Sequence, residues 1–259
     1  MDCIYQSKRH TRLYGLRVTF IISALVILSI ARVLGQETSK EFWPELDVWW
    51  KITPQWRVSM YVPFSSNLET KYREGSIVAQ GDYQWGNSKR ILYMRALDED
   101  RAAAINMRMI RGGYLVGKSL GDHGEAYSEN TAYAEFHIRL PLKGQWLLSH
   151  RFRTDLRWLG EDNAFSQRLR YRFMVEKEFW SKGLSLVPYF NVEPYYDTRY
   201  QTINRVRYIA GTSVSWTSLF AIEANMTYQH DSKSSVSSLF AVNLILHVFF
   251  VTHAIDGAK

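Results

Sequence analysis

Apolar and polar residues alternate with a period of two along most of this chain. The runs from Phe220 to Tyr228 and from Phe240 to Phe250 show the alternation clearly, and similar runs precede them. Because successive side chains of a β-strand point to opposite faces, this period predicts strands with one apolar and one polar face. Turn residues separate the runs, and we count about twelve strands, an even number as in bacterial single-chain barrels. The chain is therefore predicted to be all-β.

Two of these strands place three arginines each on one face, and Asp155 interrupts the first series. The ladders are Arg151, Arg153 and Arg157 in one strand, and Arg168, Arg170 and Arg172 in the next. A single soluble sheet would turn such a face towards water, but the two-faced pattern recurs through most of the chain. That recurrence favours a sheet closed on itself, with lipid outside and a polar lumen inside. We predict a closed, antiparallel, up-and-down transmembrane β-barrel over residues 36–259.

The first 35 residues have the features of a secretory signal peptide. Their basic positions are Lys8, Arg9, Arg12, Arg17 and Arg32, and an apolar run from Val18 to Ala31 follows the first four. That run is too short to span a bilayer comfortably, so we predict that residues 1–35 are cleaved after export to the bacterial outer membrane. An uncleaved amino-terminal anchor is the alternative, and Arg32 beside the cleavage point favours it.

The charge of the chain changes once this segment is removed. The whole sequence carries +7, and residues 1–35 contain five basic residues and one acidic residue, which leaves +3. The remaining arginines alternate with acids on strand faces, so no nucleic-acid partner is expected. Cys3 is the only cysteine, which excludes disulfides and thiolate metal sites from the mature chain. No cofactor and no metal are expected.

Aromatic residues lie near the ends of the predicted strands, as Trp56, Trp146 and Trp216 do. Amphipathic rings at these heights are typical of the girdles that border a membrane. The last strand ends on Phe250, and its alternation resembles the signal read by the barrel-assembly machinery. That machinery, outer-membrane lipid and lipopolysaccharide are the predicted partners. A soluble periplasmic sandwich is the alternative, and it predicts shorter strands without girdles.

The links between strands indicate the two ends of the barrel. In the second half, short links such as Lys143-Gly144 alternate with longer ones such as residues 160–165, the pattern of periplasmic turns and extracellular loops. In the first half, the short link Thr53-Pro54-Gln55 falls on the side that ought to be extracellular. We expect a miscounted strand between Asp98 and Asn130, where Arg111-Gly112-Gly113 is a candidate tight hairpin.

Several motifs carry a family resemblance. They are Arg168-Leu169-Arg170-Tyr171-Arg172, Pro188-Tyr189-Phe190-Asn191-Val192-Glu193, Asn204-Arg205-Val206-Arg207-Tyr208 with Gly211, and the hairpin from Phe220 to Tyr228. With these motifs and the opening Phe42-Trp43, the chain resembles a bacterial outer-membrane β-barrel family catalogued as domain of unknown function 2490. The resemblance implies a barrel fold and an outer-membrane location. It implies no activity, because one fold supports many functions.

The polar strand faces supply the candidate site, a lumen lined by arginine. The predicted lumen-lining and anion-binding residues are Arg139, Arg151, Arg153, Arg157, Arg168, Arg170, Arg172, Arg205 and Arg207, and their predicted ion-pair partners are Glu135, Asp155, Glu176, Glu193 and Glu223. Arginine stays charged and offers forked donors to carboxylate or phosphate. One hypothesis is a narrow porin-like channel that favours small anionic solutes, acidic sugars among them. The other is a non-conducting structural barrel in which arginines pair with carboxylates on neighbouring strands.

An outer-membrane lipid-modifying enzyme is a third hypothesis, from a different class. Ser149 and His150 are adjacent, but neighbours in a strand face opposite ways and cannot form a dyad with each other. His137 and His247 fall at positions predicted to face the lumen, and no nucleophilic residue stands at the spacing of a known catalytic motif. His123 lies in an acidic loop that could bind a divalent ion. No catalytic residue is predicted, and we expect a protein that is not an enzyme.

Overall fold

The computed structural model describes residues 38–53, 55–85, 107–120, 128–181, 183–217, 219–233 and 237–251. The predicted signal peptide at residues 1–35 and the loop that contains His123 lie outside these residues. All regular elements of the described part are β-strands. It contains no helix that is long and apolar enough to cross a membrane.

Twelve strands make up the described residues. They are β1 (Thr38–Lys51), β2 (Trp56–Asn67), β3 (Arg73–Trp85), β4 (Met107–Ser119), β5 (Ser128–Leu142), β6 (Trp146–Leu159), β7 (Ala164–Lys177), β8 (Phe179–Ser181), β9 (Leu184–Asp197), β10 (Thr202–Ser215), β11 (Phe220–Asp231) and β12 (Ser238–Val251). Apart from β8, each strand is far longer than the five or six residues that are usual in soluble proteins. Tilted strands of this length are long enough to cross the hydrocarbon core of a bilayer.

The strands close into a ring. From β1 to β7 each strand pairs with the next in antiparallel fashion, β7 pairs with β9, and β9 to β12 continue the meander. β12 then pairs with β1. The short β8 lies along the same edge of β9 as β7 and lengthens that strand. The predicted all-β closed barrel is confirmed, with eleven strands in the ring and β8 as an extra short one.

The contact between β12 and β1 differs from the others because it is parallel. Ten antiparallel steps lead from β1 to β12, so the two strands run in the same direction. Side-chain contacts agree, since Asp47 meets His247 and Trp50 stacks on Phe250. The residue numbers differ by 200 in both pairs, as they do between parallel neighbours, whereas antiparallel neighbours keep a constant sum. The ring is thus antiparallel except at this seam.

The hairpin expected at Arg111-Gly112-Gly113 is wrong. These residues lie in the middle of β4, and they pair with Asp82, Gly81 and Gln80 on β3. The ring of Tyr133 packs against Gly113 at the place where a Cβ atom would stand. Glycine is therefore required at this position for close packing of β5 on β4, not for a turn.

The ends of the barrel follow from this strand count. β1, β3, β5, β7 and β10 finish at one end of the barrel, and β2, β4, β6, β9 and β11 finish at the other. The link 52–55 therefore lies at the same end as 143–145, not at the opposite end as the sequence suggested. Four strands, β2 to β5, separate the two links, and an even number returns the chain to the same end.

The outer face of the barrel is apolar and exposed. Large hydrophobic side chains point outwards at alternate positions, and Leu244 in the middle of β12 is 46% exposed. Six exposed tryptophans lie beside the links of one end, which we call the tryptophan end: Trp50, Trp56, Trp85, Trp146, Trp180 and Trp216. The inner face carries buried charged and polar side chains. Polar groups inside and apolar groups outside is the reverse of the distribution in a water-soluble barrel.

The parallel seam predicts a specific cross-link. With Trp50→Cys and Phe250→Cys together, a disulfide should form on mild oxidation, because the two parent rings stack with centroids 5.8 Å apart on adjacent strands within disulfide reach. Non-reducing gels and peptide mass spectrometry would detect the bond, and Cys3 is the only other cysteine in the sequence.

The matched control is Trp50→Cys with Leu244→Cys, which keeps the same outward face. A shift of six residues along β12 moves the second thiol by roughly 20 Å, so this pair should stay reduced. Efficient cross-linking of the control pair instead of the first pair would contradict the parallel register.

Candidate functional site in the barrel interior

The two arginine ladders lie side by side inside the barrel, because β6 and β7 are neighbours. In their antiparallel register, Arg151 is opposite Arg172 and Arg153 is opposite Arg170. Like charges directly opposite each other destabilise a strand pair, and here they are also partly shielded from water. The barrel can hold these arginines only if carboxylates from other positions reach between them.

Glu193 of β9 is one such carboxylate. Its side chain is 0% exposed. Its oxygens lie 2.5 Å from Arg151 Nη2 and 2.8 Å from Arg172 Nη2. Arg170 Nε is 3.2 Å away, and the hydroxyl of Tyr195 donates a further hydrogen bond at 3.2 Å. Three guanidinium groups thus converge on one carboxylate, and charge-assisted contacts take the place of water.

Asp155 and Glu135 bind the other arginines of this region. Asp155 lies 2.5 Å from Arg153 and 3.0 Å from Arg168. Glu135 lies 2.8 Å from Arg153 and 3.3 Å from Arg111. We call the whole cluster the central network: Arg111, Arg151, Arg153, Arg168, Arg170 and Arg172 with Glu135, Asp155 and Glu193. Arg111 also binds Asp82 at 2.6 Å, and Asp82 in turn binds Arg57. With these two residues included, seven arginines face four carboxylates, so positive charge is in excess around these strands.

Three more of the predicted arginines form pairs beyond the central network. The pairs are Arg139 with Glu176 at 2.9 Å, Arg157 with Glu129 at 2.9 Å, and Arg205 with Asp231 at 2.6 Å. Glu176 is the partner that the sequence predicted as part of the ion-pair set. These contacts extend the ionic interior from the central network towards both ends of the barrel.

Several ionic residues of the interior were not expected there from the sequence. They are Arg111 and Asp82, which bind each other at 2.6 Å, together with Glu129 and Asp231. Arg111 was assigned to a turn because of the two glycines that follow it. Glu129 and Asp231 stand at strand ends, where an acidic residue also fits a turn. If the alternation of polar residues is extended by two residues beyond the predicted end of each strand, it includes Glu129 and Asp231.

Glu223, predicted as a partner of the arginines, lies in a different cluster. It accepts a hydrogen bond from the hydroxyl of Tyr189, and it lies 3.4 Å from Nε2 of His247. The other ring nitrogen of His247 lies 3.0 Å from Asp47. An imidazole between two carboxylates thus joins β11, β12 and β1 on the inner face of the seam.

Arg207 is bound differently from the other predicted arginines. Its Nε donates a hydrogen bond to Gln229 Oε1 at 2.6 Å. Its Cζ lies 5.3 Å from the ring centre of Trp43 and 5.3 Å from that of Tyr195. In the described part of the chain no carboxylate lies within ion-pair distance of Arg207. The guanidinium is held by an amide and two aromatic rings, as in cation–π contacts.

A cavity of about 820 Å³ lies inside the barrel. One side of it is basic, with arginines of the central network, and Arg207 of β10 lies between this side and β11. The other side includes acidic residues and one histidine: Glu45, Asp47, Glu223 and His247. The acidic residues come from β1 and β11, and β1 lies across the ring from β6 and β7. The interior charges are therefore segregated across the cavity.

The residues considered for catalysis lie apart from one another. Ser149 faces inwards and receives a hydrogen bond from Arg139 at 3.2 Å, whereas His150 faces outwards, 2.8 Å from the hydroxyl of Tyr171. His137 contacts Glu135 at 2.7 Å within the ionic interior. In the described ranges no group of three or more histidine and acidic side chains is arranged to hold a metal ion.

The central network predicts a large stability loss when its shared carboxylate is removed. Glu193→Gln removes a fully buried carboxylate and leaves three partly buried guanidinium groups around a neutral amide. We therefore expect the free energy of unfolding to fall by about 3–5 kcal/mol. Urea unfolding in detergent or lipid would measure the loss.

Glu69→Gln is the matched control, since Glu69 also binds a cation, Lys40, at 3.2 Å, but with both side chains more than half exposed. Its removal should cost no more than about 1 kcal/mol. Equal stability of the two variants would mean that the buried contacts of Glu193 do not support the fold.

The sequence of the chain matches a known protein family. A comparison with curated proteins found no match. The family model described as "protein of unknown function (DUF2490)" matches residues 40–239, which is most of the chain and includes every strand of the ring except β12. The match covers every strand of the central network. The chain with the arginine ladders and the closed barrel therefore belongs to the DUF2490 family.

Proposed function

We propose that this protein is an outer-membrane barrel that passes small anionic solutes through its narrow interior. The membrane location is supported by the exposed apolar outer face and by the tryptophan end, where Trp50, Trp56, Trp85 and Trp146 are exposed and do not line the cavity. Indole rings prefer the boundary between lipid and water, and a row of them at one height fits a bilayer surface. On this proposal the outer face meets membrane lipid and lipopolysaccharide, and β12 is the strand that the assembly machinery recognises.

The observation that carries the solute preference is the excess of arginine around the cavity. Six arginines of the central network contact three carboxylates of that network, and five of the six line the open space together with Arg207: Arg111, Arg151, Arg153, Arg170 and Arg172. A cationic wall in a low-dielectric enclosure attracts anions and orients them along the passage. The proposed activity is passage of a solute, with no catalytic step.

A non-conducting structural barrel is the second candidate, and the ion pairs favour it. Eight of the nine predicted arginines bind a carboxylate within the barrel. Charges that neutralise each other in this way fill the interior and hold the wall together without attracting a solute. The two candidates differ in whether the surplus arginine charge is available to ions in the cavity.

If the barrel spans a membrane, a charged side chain on its outer face near the middle of the bilayer should destabilise it. Leu244→Arg, in the middle of β12, should lower the stability of the barrel in phospholipid vesicles by about 2–4 kcal/mol. Leu142→Arg, at the end of β5, is the matched control because Leu142 is similarly exposed, at 44%, and should cost about 1 kcal/mol or less. In a water-soluble barrel both changes would stay within about 0.5 kcal/mol.

The passage predicts anion-selective conductance of the purified protein in planar bilayers. The reversal potential in a potassium chloride gradient should give a higher permeability for chloride than for potassium, because of the arginine excess. Combining Arg170→Gln with Arg172→Gln should lower this ratio. Combining Lys40→Gln with Arg199→Gln removes the same charge outside the cavity and should leave the ratio unchanged.

The same recordings separate the two candidates. Absence of conductance, or a preference for cations, would contradict the passage. If Arg170→Gln with Arg172→Gln lowers the unfolding midpoint in a protein that never conducts, the structural barrel accounts for the arginines.

A further inference from the structure

Arg207 is the exception among the arginines that line the cavity. The others are Arg111, Arg139, Arg151, Arg153, Arg170 and Arg172, and each lies within 3.2 Å of a carboxylate oxygen. For Arg207 the described residues supply no such partner. The guanidinium of Arg207 is partly buried, so it has lost water without gaining a carboxylate in direct contact. An anion that enters the cavity would supply that charge.

The contacts of Arg207 leave one edge of the guanidinium open. Gln229 takes the Nε hydrogen at 2.6 Å, and the rings of Trp43 and Tyr195 lie 5.3 Å from Cζ. The two Nη atoms accordingly retain their four N–H donors within the part of the chain that the structure describes. A planar pair of Nη donors matches the two oxygens of a carboxylate.

We infer that Arg207, with Trp43 and Tyr195, is a binding site for the carboxylate of a small, singly charged organic acid. The inference rests on the proposed passage, since it names the class of solute that the cavity holds. The carboxylate lies against the Nη edge of Arg207. Trp43, which also lines the cavity, offers an aromatic surface to the body of the ligand.

The acidic side of the cavity limits the charge of this ligand. Glu45, Asp47, Glu74 and Glu223 all line the same space. A second negative charge on the ligand would meet these carboxylates, and repulsion in an enclosed space is strong. A monocarboxylate with hydroxyl groups, such as a sugar acid, fits the guanidinium of Arg207, the aromatic face of Trp43 and the hydrogen-bond acceptors of this cavity.

Gln229 makes a sharp test possible. Gln229→Glu is nearly isosteric, and it places a carboxylate on a group that already lies 2.6 Å from Arg207 Nε. The new ion pair would occupy the guanidinium without removing it, and the fold would keep its packing. Arg207→Gln removes the guanidinium itself. Arg199→Gln is the control, because Arg199 binds Asp197 at 2.7 Å in a link outside the cavity.

Isothermal titration calorimetry of the full chain in detergent micelles would measure binding of D-glucuronate, with D-glucose as the neutral probe and inorganic phosphate as the second anion. Glucuronate should bind and glucose should not. Gln229→Glu and Arg207→Gln should each weaken the binding about tenfold or more, and Arg199→Gln should leave it unchanged. Heat-modifiable gel mobility would verify that each variant is folded.

Three results would overturn the site: no glucuronate binding, equal binding of glucose, or unchanged binding by a folded Gln229→Glu variant. Phosphate binding that is tighter than glucuronate binding would overturn the assignment to carboxylates. These outcomes are separate from those for conductance, because the titration needs no open passage. If glucuronate binding depends on Arg207 but the barrel does not conduct, the binding site is supported and the proposed passage is contradicted.

Discussion

Repulsion between arginines on adjacent strands is the constraint on which the interior of this barrel depends. Arg151 and Arg172 are directly opposite, and so are Arg153 and Arg170. The sheet tolerates these pairs because the strands on either side supply acids: Glu135 from β5 and Glu193 from β9. Four consecutive strands of the ring are thus tied together from the inside. In a barrel with an apolar exterior, this ionic interior takes the place of a hydrophobic core.

Much of this interior could be predicted from the sequence, because a period of two assigns side chains to faces. The inward direction of the arginine ladders follows from that period and from the apolar residues between them. Individual partners could not be predicted, because they depend on register and on the curvature that brings distant strands together. Glu193 lies among arginines as expected, whereas Glu223 lies between Tyr189 and His247. The two acids have the same sequence pattern but different neighbours across the ring.

The strand count was harder to predict for a physical reason. Glycine serves both in turns and where two backbones or a ring pack closely, and the sequence does not distinguish these uses. Gly112 and Gly113 lie in mid-strand, and Gly113 is a packing glycine because the ring of Tyr133 covers it. If this pair is interpreted as a turn, the predicted number of strands changes between odd and even. That number decides which links share an end and whether the first and last strands run in the same direction.

The parallel seam has a consequence for how the ring resists slippage. If β12 slid by two residues along β1, every side chain would keep its face, so the hydrophobic pattern alone does not determine this alignment. Two contacts on opposite sides of the barrel wall determine the alignment. Asp47 meets His247 on the inside, and Trp50 stacks on Phe250 on the outside. A slip of either sign breaks an ionic contact and an aromatic stack at once. The contacts of these four side chains therefore fix the alignment of β12 on β1, and with it the closure of the ring at its one parallel pairing.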